Sequence, residues 1–493
     1  MRYLLLSLLL LPVQAAPPAR VSMEQRLNQL RKSPPELYAF LLRMPKGGDL
    51  HNHLSGAAYA ESIVKAAADS GLCVNKGSMA VVRPAKPGSC SLPDQMDAAS
   101  ANNDNQTFNA LIDAFSMRDF VPGRESPHDH FFNTFNLFSP ATAPHTAAFV
   151  AELARRAADQ NESYLELMAL AGNGPISALG ARAGFDGNFE ETAAKLGAAG
   201  LPELVAGLKT KVDEAVSASR SLLHCDTDAT SAPCNVTIRY VYQVLREFPK
   251  EQVFAQVLAG FQIASTDPRV VAINFVQPED GINSMRNYHL HMQMVDFAKR
   301  LYPNVHITLH AGELAPGLVP PEGLRFHIRE AVDLGHAERI GHGVDIMYET
   351  DAVGLLNQLR SKHIAVEINL TSNDLILGVK GADHPFPIFR KYGVPVVIST
   401  DDEGVNRSHL TLEYQRAVLT YGLTYADLKQ IVRNSLEYSF LSGASFWTDS
   451  TYRSPVKACA ALINGKPCEA FLAGSDKARA QADLERRFQE FEK

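Results

Sequence analysis

The sequence has no excess of positive charge, no long apolar run past its first residues, no Cys-x-x-Cys pair and no glycine-rich phosphate loop. Each absence excludes something. Against 47 lysines and arginines stand 54 acidic residues, a formal net charge of −7, so nothing provides the basic footprint that nucleic acid requires. Charges of both signs are interspersed without long blocks, and charge therefore singles out no other partner. The one apolar run, residues 4–11, is far shorter than the ~20 residues that span a bilayer. No thiolate zinc site is expected from cysteines spaced this way. Without a phosphate loop after the first strand, a doubly wound nucleotide-binding sheet is disfavoured. No internal repeat or linker demands a second domain.

What is present is a chain of 493 residues, 46% hydrophobic, able to bury a large core. It begins MRYLLLSLLLLPVQAAPPAR: a positive Arg2, the apolar run, then Val13-Gln14-Ala15 as a small-residue cleavage pattern. Residues 1–16 read as an export signal and 17–493 as one domain, secreted or periplasmic, with no membrane attachment after cleavage. No cysteine follows the run, so no lipid anchor is expected there. The six cysteines fall into close pairs, Cys73 with Cys90, Cys225 with Cys234 and Cys459 with Cys468. In an exported chain this suggests three short-loop disulfides; reduced thiols are the other reading, and six cysteines admit many connectivities.

Eight segments have buried-strand character: residues 48–53, 164–169, 237–245, 270–276, 306–310, 339–343, 365–370 and 394–400. Near-continuous apolar runs such as VPVVIST suit strands covered on both faces. Helical periods fall between them, at 147–159, 289–301, 323–334 and 352–360. The pattern predicts a (β/α)8 TIM barrel of α/β class, with insertions after strand 1 (about 68–130, carrying Cys73 and Cys90) and strand 2 (171–236), and extra terminal helices. Ser475 is placed to cap a last helix over 476–493.

Chemistry gathers at the strand ends. In Asp49-Leu50-His51-Asn52-His53, residues i and i+2 of a strand point to one face, so His51 and His53 project together. Strand 5 ends in His310 with Glu313 on the following loop. Strand 6 ends in His342 between two glycines, and strand 8 in Asp401-Asp402. Singly, each is as easily a core-edge histidine or a capping carboxylate. Together they occupy the end of a barrel where such enzymes keep their active sites. Three histidines and one carboxylate without thiolate suit Zn2+ and leave room for a water, which the cation would acidify. Glu313 and His342 could then act as acid, base or orienting group.

These elements, MPKGGDLHNHLSGA, HITLHAGE, RIGHGVDI and the block from SND (372–374) to STDDEGV, resemble the adenosine deaminase family of metal-dependent barrels. The export signal, the disulfide-bearing insertion, MPKG, HDHFFNTF (128–135) and NSLEYSFL are similar to its secreted growth-factor-like branch. The resemblance implies one Zn2+ per chain on His51, His53, His310 and Asp401. It implies Glu313 protonating purine N1, His342 orienting or deprotonating the water, and Asp402 accepting a hydrogen bond at N7. It brings a small purine nucleoside as partner and, by analogy with secreted relatives, a homodimer. Phe131, Phe132 and Phe135 are candidates for the apolar pocket wall or for insertion core. Gln277 and Glu279 are candidates for substrate contact.

Two departures qualify this. Ser55 stands where the family often has an acidic residue associated with the ribose, and Gln277 where it often has a glycine. The expected activity is hydrolytic deamination of adenosine or 2′-deoxyadenosine. The alternatives are another aminopurine (adenine, AMP or an N6-substituted form) and a non-catalytic binding or signalling protein on the same barrel.

Overall fold

The computed structural model describes residues 21–84, 86, 89–170, 174–460 and 465–493. The expected signal, residues 1–16, lies outside them. Eight parallel strands follow one another around the sheet in chain order: β1 (Gly47–His53), β2 (Glu162–Ala169), β3 (Thr237–Leu245), β4 (Val270–Val276), β5 (His306–Ala311), β6 (Arg339–His342), β7 (Ala365–Ile368) and β8 (Val396–Ile398). The seam between β8 and β1 is closed at its end, where Asp401 N donates to His51 O (2.9 Å) and His53 N to Asp401 O (3.0 Å). This is the expected (β/α)8 barrel. Its closure uses the chemistry-bearing residues themselves.

The strands run almost wholly buried, as continuous apolar segments between a packed lumen and a ring of helices must. The lumen is not all apolar. Arg339 of β6 reaches Glu166 of β2 (2.5 Å) and Glu367 of β7 (2.6 Å), all three essentially unexposed. Strands β2 and β6 are not neighbours, so this pair crosses the barrel interior. Ahead of β1, the fully buried Lys46 of MPKG donates to the carbonyls of Leu41, Leu42, Met44 and Gln160. It thereby caps the preceding helix, Pro34–Arg43, and fixes where the first strand enters.

Several boundaries differ from those expected. The helix expected over 323–334 is broken into a 3-10 turn, Pro321–Leu324, and a helix, His327–Asp333. The second piece starts where it does because Glu349, from beyond β6, accepts from Ile328 N (2.7 Å) and Arg329 N (3.1 Å). A cap supplied from twenty residues away is invisible to local periodicity. The helix expected from 289 begins earlier, at Ile282, and β7 stops at Ile368 because Leu370 already opens a helix.

The first insertion forms a small antiparallel sheet (Cys73–Asn75 between Val81–Val82 and Gln95–Asp97) and three helices, the last being Pro127–Thr142. The second forms helices Pro175–Ala183, Phe189–Ala198 and Leu201–Leu222. The three expected cysteine pairs are all disulfides. Ser475 caps Asp476–Phe491 by accepting from Ala478 N. No helix among the described residues is long and apolar enough to cross a membrane.

Candidate active site and metal centre

His53 ends β1, His310 lies at the end of β5, His342 ends β6 and Asp401 follows β8, so all converge on the C-terminal mouth. One ligand atom each from His51, His53, His310 and Asp401 lie within 4.8 Å of one another. Within that cluster His53 Nε2 is 3.1 Å from His310 Nε2, and Asp401 Oδ1 is 3.2 Å from His53 Nε2 and 3.4 Å from His51 Nε2. His53 is the most exposed of the four at 9%, which marks the side open to solvent. Glu313, His342 and Asp401 form a second, overlapping group on the same length scale.

The donor set fits a divalent cation. His51 Nε2 is buried without a hydrogen-bond partner, an arrangement that costs free energy unless something occupies the lone pair. Its other nitrogen, Nδ1, is committed to Glu367 Oε2 at 2.6 Å. His310 is held the same way, with Nδ1 and its backbone N both donating to Asn274 Oδ1 (3.0 and 2.9 Å). Asp401 Oδ2 accepts from Ser372 Oγ at 2.5 Å. Such outer hydrogen bonds fix tautomer and orientation in metal sites.

Electrostatics agree. Burial alone would lower the pKa of His51, yet Asp401 and Glu367 hold it up at about 10, a concentration of negative charge around the ring that equally favours a bound cation. Burial, aided by the neighbouring His51 and His53, drives His310 well below its ordinary value, leaving a neutral imidazole able to bind metal. Burial works against it, but the neighbouring His51 and His53 hold Asp401 well below the carboxylate range.

Glu313 behaves oppositely. Burial first, then Asp401 and Glu279, push it well above its usual range, so it is held as a carboxylic acid. His342 is lowered to about 3, chiefly by burial, and its Nε2 lies 3.7 Å from Glu313 Oε1. Asp402 is also raised well above its ordinary value, by burial and by Asp401, and its Oδ1 is buried without a partner. A protonated Asp402 can donate a hydrogen bond from this position.

Two glycines make room for this. A Cβ on Gly341 would lie 2.8 Å from His51 Cε1, and one on Gly56 would fall 1.7 Å from Asp402 Oδ1. His342 (φ 69°), Asp401 (φ 63°) and Gln277 (φ 83°) all adopt left-handed backbone. Strain of this kind concentrates at functional sites.

The remaining candidates are placed unevenly. Gln277 keeps a glycine-like conformation, and its Oε1 accepts from Glu247 N (3.0 Å). Glu279 is buried beneath the loop that carries Glu313, its two oxygens accepting from Gly312 N (3.0 Å), Glu313 N (2.8 Å) and His327 Nδ1 (2.6 Å). Ser55 lies in the turn of helix, Leu54–Ala57, that follows His53. Phe131 is buried, and its ring contacts those of Phe132 and Phe135. Their helix, Pro127–Thr142, packs against Leu54–Ala57 and Leu370–Leu377. Across the mouth His128 Nε2 meets Asp280 Oδ1 at 3.0 Å.

Glu367, Asn274 and Ser372 were not singled out from sequence. The signal for the first two was there, a polar residue inside the apolar strands AVEI and VVAINFV, where burial demands a partner. Glu367→Gln keeps the shape but weakens the acceptor at His51 Nδ1. Metal affinity is expected to fall about 10–100-fold, measurable by competition with a chromogenic chelator.

Comparison with known proteins bears on the family and the fold. The adenosine deaminase family model matches residues 202–445. An adenosine deaminase of Vibrio atlanticus is 32% identical over 204 residues, which is 41% of this chain and 56% of that protein. The chain thus spans little more than half the length of this curated relative. An adenine deaminase from Arthrobacter aurescens shares the fold (TM-score 0.54, 16% identity, covering 90% of this chain and 99% of that one). So does an amidohydrolase from Burkholderia ambifaria solved with bound zinc (TM-score 0.50, 16% identity, covering 96% of each).

Proposed function

The chain belongs to the adenosine deaminase family, and from that premise we propose that it is an exported zinc-dependent deaminase of 6-aminopurine nucleosides, adenosine and 2′-deoxyadenosine foremost. The observation that carries this reading is the pairing of a metal-ready cluster (His51, His53, His310, Asp401) with a protonated Glu313 beside it. A purely hydrolytic zinc site needs a base; deamination of an aromatic ring also needs an acid at the ring nitrogen.

One zinc per chain, bound there, would lower the pKa of water and stabilise negative charge on oxygen. The protein's residues supply the rest. Glu313 gives its proton to N1, making C6 electrophilic as the water oxygen bonds to it. Asp402 donates to N7 and fixes the ring's register. His342 holds the attacking oxygen. The C6–N bond then breaks; water's oxygen stays on C6, one of its protons restores the acid form of Glu313 and the other leaves on ammonia. Exclusion of bulk water by the helix Pro127–Thr142 strengthens each of these interactions, with Phe131 and Phe135 contributing the apolar wall. Gln277 presents its backbone to the purine, and Glu279 supports the site through the loop that carries Glu313.

Export to an oxidising compartment is supported by three disulfides; residues 17–493 acting as one unit after removal of 1–16 belong to the same reading. A small-molecule substrate and a homodimer belong to the same reading; membrane and nucleic acid do not. Another aminopurine remains the second reading, favoured by Ser55 at the mouth and by the fold shared with an adenine deaminase. Turnover of adenosine, adenine, AMP and N6-methyladenosine by the zinc-loaded protein separates the two. Adenosine is expected to have the highest kcat/KM; a preference for any of the others would replace the first reading by the second.

A further inference from the structure

A chain of hydrogen bonds runs into His342 from behind, and its direction can be read from its far end. Phe386 N opens the helix Phe386–Tyr392, where the first N–H groups have no partner within the helix. It lies 3.1 Å from His384 Nδ1. A backbone N–H can only donate, so His384 Nδ1 carries a lone pair and the ring's proton is on Nε2. That nitrogen is 3.0 Å from the Asn373 side chain, and a donor there requires the amide oxygen, Oδ1. The other arm of the amide is therefore Nδ2, which lies 2.8 Å from His342 Nδ1. An amide nitrogen only donates, so His342 Nδ1 must accept. The ring proton of His342 is left on Nε2, the nitrogen 3.7 Å from Glu313 Oε1.

No other contact of the two rings and the amide among the described residues reverses this order. Asn369 Nδ2 is 3.5 Å from both ring nitrogens of His342 and so selects neither. All three members, His384, Asn373 and His342, are buried, at 2% exposure or less. Burial, with Arg416 adding to it, lowers His384 to about 4, keeping it a neutral ring with a single proton. A second proton on His342 Nδ1 would face the Asn373 N–H head-on.

We infer that His384 and Asn373 are positioning residues that lock His342 in the Nε2–H tautomer, making it a hydrogen-bond donor to the attacking oxygen and not its base. The inference rests on the deaminase reading for its catalytic meaning, though the tautomer itself does not. It decides between the two roles the sequence left to His342, orienting the water or deprotonating it.

The test uses the zinc-loaded, full-length protein labelled with 15N-histidine. Side-chain resonances of His342 and His384, assigned through Asn373→Asp and His384→Gln spectra, are expected to report a protonated Nε2 and a bare Nδ1 in both rings. A protonated Nδ1 in either ring overturns the inference. Asn373→Asp replaces the donor at His342 Nδ1 by an acceptor and reverses the ring. Its kcat for adenosine is expected to fall about 100-fold, with KM changed by less than about 3-fold. His384→Leu should lose about 10-fold, and His384→Gln, whose amide still donates to Asn373 Oδ1, should recover most of it. Wild-type kcat in Asn373→Asp would contradict the inference. The two readings fail separately: an Nδ1–H tautomer with full adenosine turnover sinks only this one. Absent adenosine turnover with the Nε2–H tautomer present sinks only the deaminase reading.

Discussion

Glu313→Gln is expected to remove most of the turnover, by about 100- to 10,000-fold, while the protein keeps its metal. Gln is close to Glu in shape and sits in the same buried slot, so packing is conserved. It cannot deliver a proton to N1. The structure holds Glu313 protonated through burial first, and through the charge of Asp401 and Glu279 second. The sign follows from this. The acid form is the working form and its pKa is raised, so activity depending on Glu313 is present at neutral pH and declines as pH climbs through that elevated value. Metal content of the purified variant should equal that of the parent, since Glu313 is not among the four atoms clustered for the cation. A variant that turns over adenosine at the parent rate would remove the acid from the account. Equal loss of metal and activity would recast Glu313 as a ligand.

Asp401→Asn is expected to have the other large effect, through the metal. Asp401 is the only carboxylate in the four-residue cluster, and its charge holds His51 and His53 in place from 3.4 and 3.2 Å. Outer-shell changes at metal sites typically cost about 10–100-fold in affinity; replacing an anionic ligand by a neutral amide should exceed that. The variant is expected to purify without stoichiometric zinc and to show no turnover above background at micromolar metal. It should regain part of its activity at high metal concentration. Full occupancy and normal kcat in Asp401→Asn would mean that the cation is held elsewhere.

The fold was legible because barrel strands are short, apolar and bounded by turn residues, and eight of them recur in register with helical stretches. Their ends were less so. Glu349 caps a helix twenty residues upstream, and β1 is tied to the loop after β8 by Asp401; both are long-range facts with no local trace. The metal-side residues could be read because imidazole and carboxylate at i and i+2, or at a strand's last residue, share a direction. Glu367 could have been found by asking what a charged residue does inside AVEI, since burial of a lone carboxylate is costly. Asn373 is visible only as part of the SND block, and the role it shares with His384 is not. They lie on separate helices and loops beyond β7, and their role exists only in the order of donors and acceptors that the fold brings together. Glu279 is a candidate substrate contact by sequence, and its backbone partners at Gly312 and Glu313 give it a place under the loop that carries Glu313.

Titration of the metal-stripped protein with zinc, following adenosine turnover at each addition, tests the central claim most directly. The account predicts activity that rises linearly and saturates at one zinc per chain, in the parent and not in Asp401→Asn. Full loading of His51, His53, His310 and Asp401 with no turnover of adenosine would contradict it.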